Sequence, residues 1–416
     1  MITFRQEEKK TIGILAIGTF LEYLDYYLYF HFATVLNKLF FAEADFRSTA
    51  LLTSFAYCLS FVFRPIAAVI FGYIGDRWGR ITVLNLTFIL MGLSCIGIFW
   101  LPTYDEIGVA ASFLITFFRL LQSVSSMGEV VGGEIYLTEY LQGRKIFIGV
   151  AILILMCSLA CQVALYGIRF SLAGHIDWRY LFLSGIVIFI VGLHARRNLI
   201  ESVEYIEAKQ EGDLASIKPL FRTYVAYFFA ESMQPVTLFI SVVGINNLFR
   251  TEFGYSETDI VARNLNSTYF HILYVLGAIV MFYKFNPYKI AVVRSLLGIT
   301  LIMVSPILLY EYCEEKLIIV QSLLSFLCIH DVAVTPLKLT AIPPYNRFSR
   351  GVLFFSVTRA FVAILTSFGL VMWMPYLKEY FILVFGLPFA IGFLISVIYL
   401  QRLDRQKSNG LLSNYR

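Results

Sequence analysis

Twelve apolar stretches follow one another along the 416 residues, at about 11–36, 48–71, 81–101, 107–134, 146–170, 178–196, 220–247, 259–283, 289–311, 316–337, 351–373 and 378–401. A helix needs roughly 20 apolar residues to cross the hydrocarbon core of a bilayer. Lipid offers no partner to a backbone N–H or C=O, so a run of such segments is confined to helices whose hydrogen bonds close within each segment. The chain therefore reads as an all-α polytopic membrane protein of twelve transmembrane helices. Composition agrees, with 59% hydrophobic residues, 15% charged and a mean hydropathy of +0.75. A soluble domain carries about 25% charged residues. The 39 Phe and 26 Tyr suit helices that face lipid and its interfaces.

The polar, basic start from Met1 to Lys10 resembles the opening of a signal peptide. The apolar run behind it continues to about Leu36 with no small-residue cleavage site, which marks a retained first span. The net charge of +5 sits in short loops rather than in a patch, so nucleic acid is not an expected partner. Five cysteines (Cys58, Cys95, Cys157, Cys161, Cys328) lie inside apolar runs and Cys313 near a span end, with no metal spacing and no CxxC. Cys157 and Cys161 are one turn apart, a spacing that suits packing of small apolar residues. A membrane enzyme would need a histidine cluster, a Gly-x-Ser-x-Gly or a phosphate-cradling loop with Lys, and none is present. Neither an enzymatic activity nor a cofactor is expected.

A polar stretch at 196–218 separates six spans from six, giving an N-terminal bundle at 1–195, a linker at 196–218 and a C-terminal bundle at 219–416. Lys9, Lys10, Arg77, Arg80, Arg144, Lys145, Arg347, Arg350, Arg402 and Arg405 all fall at one end of the spans. Acids such as Asp105, Glu106, Glu311, Glu314 and Glu315 gather at the other, with a few scattered basics such as Lys38, Arg169 and Arg250. By the positive-inside rule the basic end, the linker and both termini are cytoplasmic. Two pseudo-repeated halves around a midplane site are the layout of a secondary transporter.

Between spans 2 and 3 lies Arg64-Pro65-Ile66-Ala67-Ala68-Val69-Ile70-Phe71-Gly72-Tyr73-Ile74-Gly75-Asp76-Arg77-Trp78-Gly79-Arg80. It resembles the span 2–3 signature of the major facilitator superfamily, and within it the metabolite:proton symporter branch of proline/betaine, citrate, shikimate and ketoglutarate carriers. Phe20 to Asp25 resembles the branch's F-x-E-W-x-D. Arg119 to Gln122, with Gly132-Gly133-Glu134 and Glu139, resembles its span 4 pattern, and Pro343 to Ser349 its P-x-x-x-R-Y-S. Departures stand at Ala67 and Ser123, where the branch has glycine, and in Glu201-Ser202-Val203-Glu204-Tyr205, which replaces E-S-P-x-F. The loop after span 8, Tyr283 to Lys289, occupies the place of Asp76–Arg80 without an aspartate.

Glu22 and Asp25 sit three residues apart on one face of span 1. An acid at that depth costs about 2.5–3.5 kcal/mol on insertion scales, so it faces a cavity or a partner. Two such carboxylates suit proton coupling; a structural ion pair is the alternative for each. Arg119, Gln122, Ser126, Glu129 and Gly133 form a polar stripe along span 4. The resemblance implies an Asp25–Arg119 pair that protonation releases. Arg64 lies about 18 Å along the helix from Asp76, near mid-membrane, where it suits either a substrate carboxylate or a structural pair. Gly72, Gly75, Asp76, Arg77, Gly79 and Arg80 read as a gate, with glycines for a tight turn and Asp76 for a helix N-terminus or an arginine.

In the second half, Glu231, Gln234 and Pro235 interrupt span 7, where proline bends the helix and frees carbonyls towards a cavity. His271 stands in a polar stripe of span 8, as a packing residue or a relay. His330-Asp331 and Arg359 complete the intramembrane charges, with Asp331–Arg359 pairing or substrate contact both open. Tyr23, Tyr26, Tyr27 and Tyr29 crowd the span 1 acids; they suit packing, or cation–π contact with a quaternary ammonium. Arg64, Gln122, Tyr26, Gln234, His271, Asp331 and Arg359 are thus the candidate substrate contacts. The expected function is proton-coupled, alternating-access transport of a small organic solute across the cytoplasmic (inner) membrane by a monomer. Proline/betaine-type osmolytes come first and small carboxylates second. An exchanger, a uniporter or a receptor on the same fold are the alternatives.

Overall fold

A computed structural model of the chain describes residues 3–41, 61–183, 221–310, 313–328 and 332–406, with isolated positions between 185 and 207. Every regular element among the described residues is helical. The first helix, α1 (Gln6–Phe40), is 35 residues long and so about 50 Å, more than a bilayer core needs. Its first turn therefore projects beyond the core, where Glu8 accepts from the Arg5 backbone N–H at 2.7 Å and from Lys145 Nζ at 2.8 Å.

Helix α2 (Arg64–Trp78) and helix α3 (Arg80–Phe99) are separated by Gly79 alone. Its φ of 104° lies in the region that a Cβ makes costly. The segment expected as a loop is thus mostly helix. Gly72, Gly75, Asp76 and Arg77 ride on the last turns of α2, and Arg80 opens α3. Helices α4 (Val109–Tyr140) and α5 (Arg144–Leu172) complete the described long helices of the first half.

The second half opens with α6 (Phe221–Phe239), a π-helical segment (Ile240–Ile245) and α7 (Asn246–Phe253), one continuous stretch of 33 residues. The helix passes through Pro235 and widens five residues later. Helices α8 (Glu257–Lys284) and α9 (Pro287–Leu309) follow. The single span expected at 316–337 is two helices, α10 (Glu314–Leu327) and α11 (Val334–Thr340), the second with Pro336 in its first turn. His330 and Asp331 lie outside the described residues. Helices α12 (Arg347–Leu377) and α13 (Phe381–Gln406) close the chain.

Eight helical stretches among the described residues are long and apolar enough to cross a membrane. In the first half α1 lies along α5 and α3 along α4; in the second, α6 and α9 lie along α13, and α6 along α12. The halves meet along two seams, α2 with α12 and α5 with α8. Small residues close the first: a Cβ on Gly72 would stand 2.7 Å from Ser349 Cα, and one on Gly75 2.5 Å from the Phe348 ring. Exposed side chains on the flanks are apolar (Phe113, Phe117, Ile307, Ile395), while Trp100, Tyr310, Trp373 and Tyr376 ring the end opposite Arg80. That distribution suits lipid around the flanks and a headgroup layer at the aromatic belt.

Candidate functional site

A cavity opens between the halves. Tyr23 of α1 and Glu134 of α4 form one wall; Glu231 and Gln234 of α6, Arg294 of α9, Lys338 of α11, and Phe355 and Arg359 of α12 form the other. Glu231 is held from two sides. Lys338 Nζ donates to its Oε2, and Arg359 Nε donates to its Oε1 at 2.8 Å. The short helix α11 exists at a depth where its lysine can reach Glu231, which the break after α10 permits. Arg359 therefore takes its carboxylate from Glu231, 128 residues away, and the expected partner Asp331 lies outside the described residues. The Arg359 guanidinium also stands 4.7 Å from the Phe355 ring centroid, and Arg294 stands 3.7 Å from that of Tyr274. Lys338 and Arg294 are intramembrane cations that the sequence reading passed over. A charge inside an apolar run is itself the signal, and both stand in or beside one.

A second polar cluster joins α1, α3 and α4. Asp25 and Arg119 are both buried, and the direct pair expected between them is replaced by a relay. Arg119 Nη1 donates to Gln122 Oε1 at 2.5 Å, and Gln122 Nε2 donates to Asp25 Oδ1 at 2.7 Å. The Cys95 thiol donates to the same Oδ1 at 3.3 Å. The Tyr29 ring lies 3.5 Å beneath the Arg119 guanidinium, a cation–π contact that helps to hold a cation in a dry place. Glu22 is buried on the same face of α1, at 3% exposure. Arg64 turns to Ser123, donating from Nε at 2.9 Å, and lies against the rings of Phe61 and Tyr26. The side chain of Glu129 lies outside the described residues.

Not every candidate contact reaches the cavity. Gln234, Arg359 and Glu231 line it, but Arg64, Gln122, Tyr26 and His271 are absent from its lining. His271 sits on the α5–α8 seam, its Nδ1 2.8 Å from Ser158 Oγ. Beyond it, towards the belt of aromatics, Gln321 Nε2 donates to Asn246 Oδ1 at 3.2 Å and to the Ser241 carbonyl at 3.4 Å. A carbonyl of the π-helical segment is thereby satisfied by Gln321 rather than by the cavity.

At the basic end a third cluster spans the α2–α12 seam. Arg80 is fully buried; its Nη1 donates to the Gly75 carbonyl at 2.9 Å and to Asp76 Oδ1 at 3.2 Å. Its Nη2 donates to Glu139 Oε1 at 3.2 Å and to the Pro344 carbonyl at 3.1 Å. Arg347 Nη1 reaches the same Glu139 oxygen at 3.4 Å. Asp76 Oδ2 accepts the Ser349 backbone N–H at 3.2 Å, one of the donors left open in the first turn of α12. Glu201 accepts the backbone N–H groups of Ile81 at 2.9 Å and Arg80 at 3.3 Å, covering the start of α3. Arg77 is exposed on the last turn of α2 and donates to the Tyr73 hydroxyl.

Residues 15–329 match the model of the Major Facilitator Superfamily. Over 254 residues the chain is 32% identical to a Staphylococcus aureus protein named as a proline/betaine transporter, covering 58% of this chain and 53% of that one. It is 28% identical over 228 residues to the proline/betaine transporter of Escherichia coli, covering 49% of this chain and 43% of that one. The matches span about half the length of these relatives. Among solved structures, the proton:xylose symporter XylE superposes with a TM-score of 0.79 at 13% identity, over 97% of this chain and 98% of that one. The human organic anion transporter MFSD10 superposes with a TM-score of 0.69 at 14% identity, over 95% of this chain and 100% of that one.

Proposed function

The chain belongs to the Major Facilitator Superfamily, and from that premise we propose that it is a proton-coupled symporter of a small organic solute, of the proline/betaine kind first and a small carboxylate second. It is a multi-pass membrane protein whose family and relatives are transporters of small molecules. The names of the Staphylococcus aureus and Escherichia coli relatives support the solute class. The bundles at 1–195 and 219–416 rock about the cavity, with the stretch 196–218 between them as the linker, the basic end in the cytoplasm and the chain acting as a monomer.

The observation that carries the coupling is the relay Asp25–Gln122–Arg119, dry and closed within the first half. While Asp25 is ionised, Gln122 is polarised from both sides and Arg119 is held. Protonation removes the charge that orients Gln122, so Arg119 loses its distant counter-charge and the contacts between α1 and α4 loosen. Arg80, Asp76, Glu139 and Arg347 form the cytoplasmic lock, and the cavity above it holds the solute. Glu22 stands beside the relay as a second acid.

Proteoliposomes loaded with glycine betaine or proline test this directly. Uptake driven by an imposed pH gradient is expected, together with its collapse under a protonophore. Asp25→Asn and Arg119→Gln should each cut proton-driven accumulation by at least about tenfold, as loss of one general acid–base group does, while counterflow exchange of label persists. Proton-driven uptake that survives intact in both variants sinks the coupling assignment.

A further inference from the structure

The charges of the cavity are sorted by half. Among the described residues Glu134 represents the first, while Glu231, Lys338, Arg359 and Arg294 stand on the second. On that second wall one carboxylate, Glu231, holds two cations, Lys338 and Arg359. Arg359 spends only Nε on it, and its two terminal nitrogens make no hydrogen bond to a described residue. A guanidinium fork left open in this way matches the two oxygens of a carboxylate. Across the cavity Glu134 is buried to 5% exposure and takes neither an ion pair nor a hydrogen bond from any described residue. A carboxylate so far from water needs a counter-charge to stay ionised. Tyr23 adds an aromatic ring to the same wall.

We propose that Glu134 anchors the cationic end of a zwitterionic solute whose carboxylate sits on the fork of Arg359, beside Lys338, across the cavity. The assignment rests on the transport reading above and narrows it. A solute with only carboxylates satisfies the second wall and leaves Glu134 only the more distant charges of Lys338 and Arg359, which Glu231 already holds. An ammonium carboxylate satisfies both walls, and because they belong to different halves its binding draws the halves together.

Two pairs of probes isolate the positive charge: glycine betaine with its carbon isostere 3,3-dimethylbutanoate, and proline with cyclopentanecarboxylate. Binding to the purified full chain in detergent is read by calorimetry, independently of any gradient. The wild-type protein should prefer the zwitterion of at least one pair by roughly tenfold or more, the scale of a charge-assisted contact. Glu134→Gln should weaken that zwitterion roughly 10- to 100-fold and leave its uncharged-tail partner within about threefold, which also shows that the variant is folded. Glu134→Asp should keep part of the preference. A Glu134→Gln protein that retains the preference overturns the assignment, as does equal loss of both members of a pair in both variants. If the wild-type protein binds neither zwitterion, the solute class proposed above falls with it.

Discussion

Gln122 stands where an arginine–carboxylate pair was expected, and the difference matters for what a mutation does. A direct pair is broken only by removing one charge, but a relay is broken by removing the neutral residue in its middle. Gln122→Ala should therefore lower proton-driven accumulation about tenfold while solute binding changes less than about twofold, checked by uptake under a pH gradient beside calorimetry. Glu8 offers a test outside the spans. Burial raises its carboxyl, but the Lys145 hydrogen bond, the Arg5 backbone N–H and both cations outweigh that and hold it below its ordinary 4.5. A carboxyl lowered on folding stabilises above its unfolded value and ceases to as pH falls through its folded one. The melting temperature of the wild type should thus exceed that of Glu8→Gln by about 1–3 °C at pH 7, and the gap should close below about pH 4.5. At this scale the sequence was legible at several charges that interrupt an apolar run, as at Asp25, Glu231 and Arg359, while Arg294 and Lys338 carried the same signal and were passed over. It was silent about partners, because Glu231 and Arg359 meet only through the folding of separate helices.

Among elements, the departures from the sequence reading share a cause: apolar length does not report where a helix breaks. Span 10 divides into α10 and α11, so that Lys338 rather than a residue of a straight helix meets Glu231. Span 7 stays helical through Pro235 and widens at Ile240–Ile245. The glycine-rich segment was recognisable by composition, yet its glycines serve close approach along the α2–α12 seam, with only Gly79 making a turn. Gly75→Val should force the Phe348 ring away, costing about 1–3 kcal/mol of the closed arrangement. Cysteines introduced at the basic end of α12 should then react with a membrane-impermeant maleimide several-fold faster in inside-out vesicles. An unchanged labelling rate would show that α12 accommodates the added methyls.

At the level of the whole molecule the two seams are fastened differently. Along α2–α12 a carboxylate, Asp76, takes the N-terminal amide of the facing helix. Along α5–α8 an arginine, Arg144, donates to the Tyr283 carbonyl at 3.1 Å, where the pseudo-equivalent segment has no aspartate. Only the first seam carries the Arg80 network, so Arg80→Lys, which keeps the charge but not the four directed bonds, should unlock one side alone. Distance measurements by double electron–electron resonance should show α2 and α12 separating at the basic end with the α5–α8 spacing unchanged. A fastening made of buried charges also responds to heat. The hydration of ions carries a strongly negative entropy, so water competes less well for Arg80, Asp76, Glu139 and Arg347 as temperature rises. Warming should tighten this lock relative to its open, hydrated form, and cooling should loosen it. Specimens prepared in the cold would then hold more inward-open molecules than the same membranes do at growth temperature.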